Sequence, residues 1–126
     1  RELAMTDCWI NIMPRLVVQL TTDDAEKVAT ALTIAMTAAA AGTQVDLWLS
    51  GPATLLAVPD REPDVGLDHA PDPQQALAAV AGVHVCSQCA ARRGLTAADL
   101  RPGTDIAGAA SLVEQLLAGD TRAVTY

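Results

Sequence analysis

The chain has 126 residues, 51% of them hydrophobic and 18% charged, with a net charge of −7 at neutral pH. That balance excludes a disordered segment, and the acidic surplus argues against a nucleic-acid partner, whose phosphates require clustered Lys and Arg. No apolar run approaches the roughly 18 residues of a membrane span, so no membrane partner is expected. The length predicts one domain. With no phenylalanine, two tryptophans and one tyrosine, its core has to be built from Ala, Val, Leu and Ile, side chains that suit helices packed closely on a sheet.

Residues 1–14 show no clear periodicity and read as an N-terminal extension. Met5 and Met13 are candidate start residues, so that what precedes them would not belong to the native chain. No basic stretch followed by an apolar run and a small-residue cleavage site is seen, so no signal peptide is expected. Cys8 falls in this stretch and is given no role.

Arg15 to Leu20 (RLVVQL) is a short β-branched run and reads as the first strand. The segment from Thr21 to Gly42 follows. Asp23 and Glu26 fit a start like a capping box. Ala25, Val28, Ala29, Leu32, Ala35, Met36 and Ala39 recur at helical spacing, and Gly42 is placed to close the helix. Ile34 lies off that stripe and suggests a second covered face, as at a subunit contact. Val45 to Leu49 reads as the second strand, broken by Ser50, Gly51 and Pro52. Residues 59–72, rich in proline and acidic side chains, read as a surface loop. Asp72 caps a helix with Pro73 at its first position, and Gly82 is expected to end it.

Val83 to Cys86 is the third strand, Ser87 to Arg93 a short helix closed by Gly94, and Thr96 with Asp99 one more turn. Ile106, Ala109, Ala110, Val113, Leu116 and Leu117 form a helical stripe ended by Gly119, and Arg122 to Tyr126 is a final strand. Strands alternating with helices predict a mostly parallel sheet covered on both faces.

The segment VHVCSQCAARRGL, residues 83–95, carries the chemistry. Cys86 and Cys89 form a CxxC pair where a strand stops and a helix begins. There the unpaired N–H groups and the positive dipole end lower a thiol's pKa. Cys86 is then the nucleophile. Cys89, one helical turn on, is a resolving or auxiliary thiol, and the amides near Ser87 stabilise the charged sulfur. His84 shares the strand face of Cys86 by alternation, and Arg92 and Arg93 follow Cys89 at i+3 and i+4. Two other readings of the pair stay open. It is half of a metal site, needing Cys8, His69 and His84 or a second subunit to complete four ligands. Or both thiols are inert and buried. An odd cysteine count with a closely spaced pair favours a reducing, cytoplasmic compartment.

Elsewhere the signals exclude more than they assign. Strand-end loops at Thr21–Asp24, Ser50–Pro52 and Cys86–Cys89 should meet at the carboxyl edge of the sheet. Yet Asp23 and Asp24 would repel a phosphate, and no glycine-rich phosphate loop is present, so no nucleotide or flavin cofactor is expected. A phosphorelay receiver would need an acceptor Asp where Cys86 stands and a lysine late in the chain, but Lys27 is the only lysine. Asp24 is kept as an auxiliary candidate beside its ordinary use in starting a helix. A thioredoxin would carry its CxxC near the first strand–helix junction rather than two-thirds along the chain.

From Arg15 to Tyr126, the order TTDDAEKVATALTIAMTAAAAGTQVDLWLSG, VHVCSQCAARRGL, capped helix and final strand resembles the DsrE/DsrF-like family, which includes TusD-type sulfur-relay subunits. The most specific piece is Cys86 to Gly94, a cysteine followed by a short alanine-rich helix and an RRG ending. The resemblance implies a three-layer α/β/α sandwich with a mainly parallel five-stranded sheet over residues 15–126. It implies assembly into trimers or hexamers and a persulfide on the cysteine matching Cys86. The function it points to is a sulfur carrier or sulfurtransferase passing sulfur between donor and acceptor proteins; on the residues themselves, no cofactor and no metal are expected. Cys89 departs from the relay pattern, since a second thiol can convert a persulfide to a disulfide. A non-catalytic oligomeric module, binding a small ligand or zinc or responding to thiol redox state, is the alternative.

Overall fold

The computed structural model describes residues 14–126; Cys8 and the other residues up to 13 lie outside them. Five strands form one sheet: β1 (Arg15–Leu20), β2 (Gln44–Leu49), β3 (Gly82–Cys86), β4 (Asp105–Ala107) and β5 (Thr121–Thr125). All neighbours are parallel, in the order β4-β3-β2-β1-β5. The helices are α1 (Ala25–Ala40), α2 (Pro73–Ala79), α3 (Ser87–Arg92) and α4 (Ala109–Leu117), and 3₁₀ turns cover Gly51–Ala57 and Ala97–Asp99.

The strand order explains the layering. Parallel crossovers are almost always right-handed. Stepping from β1 to β2 to β3 therefore puts α1 and α2 on one face, and stepping back past β1 to β5 puts α4 on the other. The contacts agree. Val28, Ala31, Leu32 and Ala35 of α1 and Ala76 and Leu77 of α2 share a buried cluster with Val18, Leu20, Val45, Leu47, Leu49, Val83 and Val85. Gln115 of α4 instead accepts a hydrogen bond from Trp48 Nε1 on the opposite face, at 2.9 Å. The chain is an α/β sandwich, as its alternating pattern predicts.

Local details depart from the sequence expectation in four places. The cap of α1 is Asp24, not Asp23: its carboxylate accepts from the Lys27 N–H at 3.1 Å. Helix α2 stops at Ala79, and Gly82 opens β3 instead of ending the helix. Ile106 belongs to β4, a three-residue edge strand, rather than to the last helix. The stripe assigned to α4 is split, since Val113 and Leu117 point outward, 48% and 80% exposed, while Leu112 and Leu116 are half-buried. Gly42, by contrast, closes α1 as expected. With φ +90° it takes the left-handed conformation, and Gly42 N–H and Thr43 N–H return to the Ala39 and Ala38 carbonyls. Thr96 and Asp99 form the capping box their spacing suggests.

Candidate functional site

The side chains opposite the aliphatic core form a different surface. The register sets Gln19, Trp48, His84 and Asp105 side by side across β1 to β4, with Asp46 facing Gly82 one step earlier and Cys86 facing Ala107 one step later. An ion-paired row runs through the middle of this face. His84 Nε2 lies 2.9 Å from Asp46 Oδ1 and His84 Nδ1 3.0 Å from Asp105 Oδ2. The imidazole stacks on Trp48 with centroids 4.4 Å apart. Asp46 is buried, and its Oδ2 accepts no hydrogen bond among the described residues; Arg15 Nε faces it at 3.4 Å.

Gly82 makes this row sterically possible. A methyl group in its place would stand 2.6 Å from Asp46 Oδ1 and 2.9 Å from His84 Nε2, closer than any side chain tolerates. The hydrogen bond to Asp46 raises the His84 pKa above the usual imidazole value, burial works against it, and Asp105 adds to the rise. His84 is thus on the face of Cys86, as alternation predicts, but both ring nitrogens are committed to carboxylates rather than to the thiol.

Cys86 ends β3 and is the N-cap of α3, with φ −57° and ψ 124°. Burial pushes its thiol up, but the Cys89 amide, the Cys89 thiol, the Gln88 amide and the Arg92 charge together bring it below its ordinary value. These amides do not close a hydrogen bond of strict geometry on the sulfur. Their dipoles point at it all the same, and that orientation favours the anion. Neither Cys86 nor Cys89 is in a disulfide.

Cys89 sits differently. It is 7% exposed, and its sulfur accepts a hydrogen bond from the Gly51 N–H at 3.2 Å. Gly51 has φ +53°, and a Cβ there would lie 2.9 Å from the Thr21 carbonyl oxygen. A glycine is therefore needed where the loop after β2 passes between the end of β1 and the CxxC helix. The three strand-end loops do converge, as topology predicts, and Gly51 joins them. From sequence Gly51 reads as a strand breaker within one of the loops expected at this edge. Its positive φ and its crowding against Thr21 are tertiary facts that no local pattern carries.

The other candidates are placed as follows. Ser87 opens α3 and lies across from Gly108, where an added Cβ would meet its Oγ at 3.6 Å. Arg92 is exposed and acts on Cys86 through its charge. Arg93 turns back on its own helix and donates to the Cys89 carbonyl at 3.2 Å. Asp24 is engaged in capping α1. His69 lies in the loop after the first 3₁₀ turn with φ +66°. Among the described residues, no group of three or more His, Cys, Asp or Glu side chains is arranged to hold a metal ion. Nor is any of their helices long and apolar enough to cross a membrane.

A cavity of about 120 Å³ opens beside Cys86. Its walls are mostly apolar: Trp48, Leu49, Ala107, Ala109 and Leu112, with Gln19 and Ser50 as polar exceptions. Cys86 lines it and Cys89 does not. Of these wall residues the sequence singled out only Ser50 and Cys86 for a site; the others come together through strand register and the position of α4.

A parallel α/β sandwich presenting a thiol at a strand end, beside an apolar cavity, defines the class of protein. The sequence profile of the DsrE/DsrF-like family matches residues 15–122, and the chain belongs to that family. No curated protein matches it. Among solved structures, the crystal structure of the YchN protein from E. coli is similar, with a TM-score of 0.69 and 20% sequence identity, over 90% of this chain and 97% of that one. At that identity the likeness concerns the fold.

Proposed function

We propose that this chain is a sulfur carrier that holds a persulfide on Cys86 and passes it to a cysteine of a partner protein. The observation that supports this reading is the inequality of the two thiols. Cys86 lines a cavity and is pushed below the usual thiol range; Cys89 is buried and bonded to the Gly51 amide. The thiolate is the form that takes up sulfur. A thiol of lowered pKa is also the better leaving group when an acceptor thiolate attacks the outer sulfur of the persulfide. Cys89 serves as the resolving thiol. Its attack on the Cys86 sulfur would expel hydrosulfide and close a Cys86–Cys89 disulfide, limiting how long an unclaimed persulfide survives.

The same reading makes the protein a cytoplasmic homo-oligomer, a trimer or hexamer. Supporting it is α4, which has no fully buried residue and leaves Val113 and Leu117 uncovered in one copy. The test is an intact mass after incubation with a persulfide donor. One added sulfur per chain, lost in Cys86→Ser, supports the carrier. No adduct, with stoichiometric zinc bound instead, overturns it in favour of a non-catalytic binding module.

A further inference from the structure

Three features stand outside the roles assigned so far: the outward side chains of α4, the groove between α1 and the acidic loop, and the cavity beside Cys86. The first leads back to self-assembly, and nothing in the structure shows what would cover the second. The cavity carries more.

Its walls include no Lys, Arg, His, Asp or Glu. An ion entering it would give up hydration and meet no charge but the Cys86 thiolate itself, which repels an anion; the dehydration costs several kcal/mol. Arg92, the cation that acts on Cys86, is not among the lining residues. The size is also restrictive. An apolar cavity of about 150 Å³ accepts benzene, so one of about 120 Å³ has room for a group of roughly four or five heavy atoms. That is too little for a folded partner's loop and enough for a short alkyl or small ring group. The nucleophile lies in the wall itself, so a molecule seated there has its reacting atom against Cys86.

We propose that the cavity seats the uncharged organic group of a small hydropersulfide, which reacts in its protonated form R–S–SH, and that sulfur reaches Cys86 from this donor rather than from an anion such as thiosulfate. The inference rests on the carrier reading and names its donor. The Cys86 thiolate bonds to the outer sulfur of R–S–SH as the bond between the two donor sulfurs breaks. The electron pair leaves on R–S⁻, which takes a proton from water at the cavity mouth. The sulfane sulfur is transferred at unchanged oxidation level, so no oxidant or reductant is consumed. Gln19 and Ser50 are the polar groups in reach of the departing thiolate.

Methanethiosulfonate reagents of graded charge and size test this on the intact protein, with labelling mapped to Cys86 by mass. Rates are normalised to a small-molecule thiol. The neutral methyl reagent should outpace both its sulfonatoethyl and its trimethylammonioethyl relatives by about tenfold or more, the cost of taking a charge into an apolar site. Using both signs of charge separates the cavity from the overall negative field of the chain. Ala109→Leu, at the exposed start of α4, narrows the cavity and should slow the methyl reagent by about tenfold. Leu112→Ala widens it and should speed a benzyl reagent relative to methyl. Equal normalised rates for all three charges, with neither variant changing the size preference, overturn the donor assignment and leave the carrier reading standing. The expected preferences without sulfur uptake from any persulfide or polysulfide donor remove the carrier reading and the donor assignment with it.

Discussion

The two faces of the sheet are made from the same five strands and differ in nearly every other respect. Toward α1 and α2 the strands present Val18, Leu20, Val45, Leu47, Leu49, Val83 and Val85, all in one aliphatic cluster. Toward α4 they present Arg15, Gln19, Asp46, Trp48, His84, Asp105 and Cys86. Val17 and Trp48 are buried there too, but outside that cluster. The first face owes its stability to area removed from water, which is non-directional and tolerant of detail. The second depends on ion pairs whose geometry has to be right, because a buried charge left without its partner is costly. The thiol stands at the carboxyl end of the second face. In this molecule, strength and chemistry are divided between the faces of one layer.

The largest expected effect lies on the aliphatic face. Leu47→Ala removes a side chain with no exposed surface in the central strand, and should lower stability by about 2–5 kcal/mol in urea unfolding. Sulfur uptake per folded molecule should hardly move, since Leu47 points away from Cys86. A loss of uptake in the folded fraction would break the division between the faces.

Next comes Gly82→Ala on the polar face. The new methyl forces His84 away from Asp46 and leaves a buried carboxylate under-satisfied, at about 1–3 kcal/mol. The pH profile gives this variant its signature. In the parent, the folded-state His84 pKa lies above its unfolded value. The stabilisation is therefore fully present below the unfolded imidazole pKa of about 6.5 and is lost as pH rises through the folded value. Gly82→Ala should flatten that decline as well as lower the curve. A parallel curve, shifted but with the same slope, would mean that the His84–Asp46 pair survives the substitution.

How much of this division was legible beforehand follows from its physics. Helix α1 is legible from its stripe at helical spacing, because burial of one face dictates spacing locally, whereas β1 and β2 are legible as short apolar runs bounded by breakers, β2 being buried on both faces. Edge strand β4 is not, since three residues are too few to show alternation and Ile106 also fits the next helix. Gly82 reads as a helix end because glycine serves both uses. What distinguishes them is Asp46, thirty-six positions earlier and brought opposite only by register. The CxxC is legible as a local motif at a strand–helix junction. The cavity is not, because Gln19, Trp48, Ala107 and Leu112 come from four elements. His84 was correctly placed on the thiol's face, yet its attachment to two carboxylates depends on neighbours in other strands.

The smallest effect sharpens the comparison at the one point where solvent enters it. Among the influences that lower the Cys86 thiol, the amides and the Cys89 thiol precede the charge of Arg92. Arg92 is exposed, so water and salt screen it, and at about 0.15 M ionic strength the screening length is only about 8 Å. Arg92→Ala should therefore raise the Cys86 pKa in a thiolate-absorbance titration, by less than a change to the helix amides would. The difference from the parent should shrink as salt is added. Stability should be unchanged, because no side-chain hydrogen bond or ion pair to Arg92 is formed among the described residues. If the shift is instead large and independent of salt, the guanidinium rather than the head of α3 governs the sulfur. The site would then be an ion pair at the surface, and its reactivity would owe less to where the fold has placed Cys86 than to a single side chain beside it.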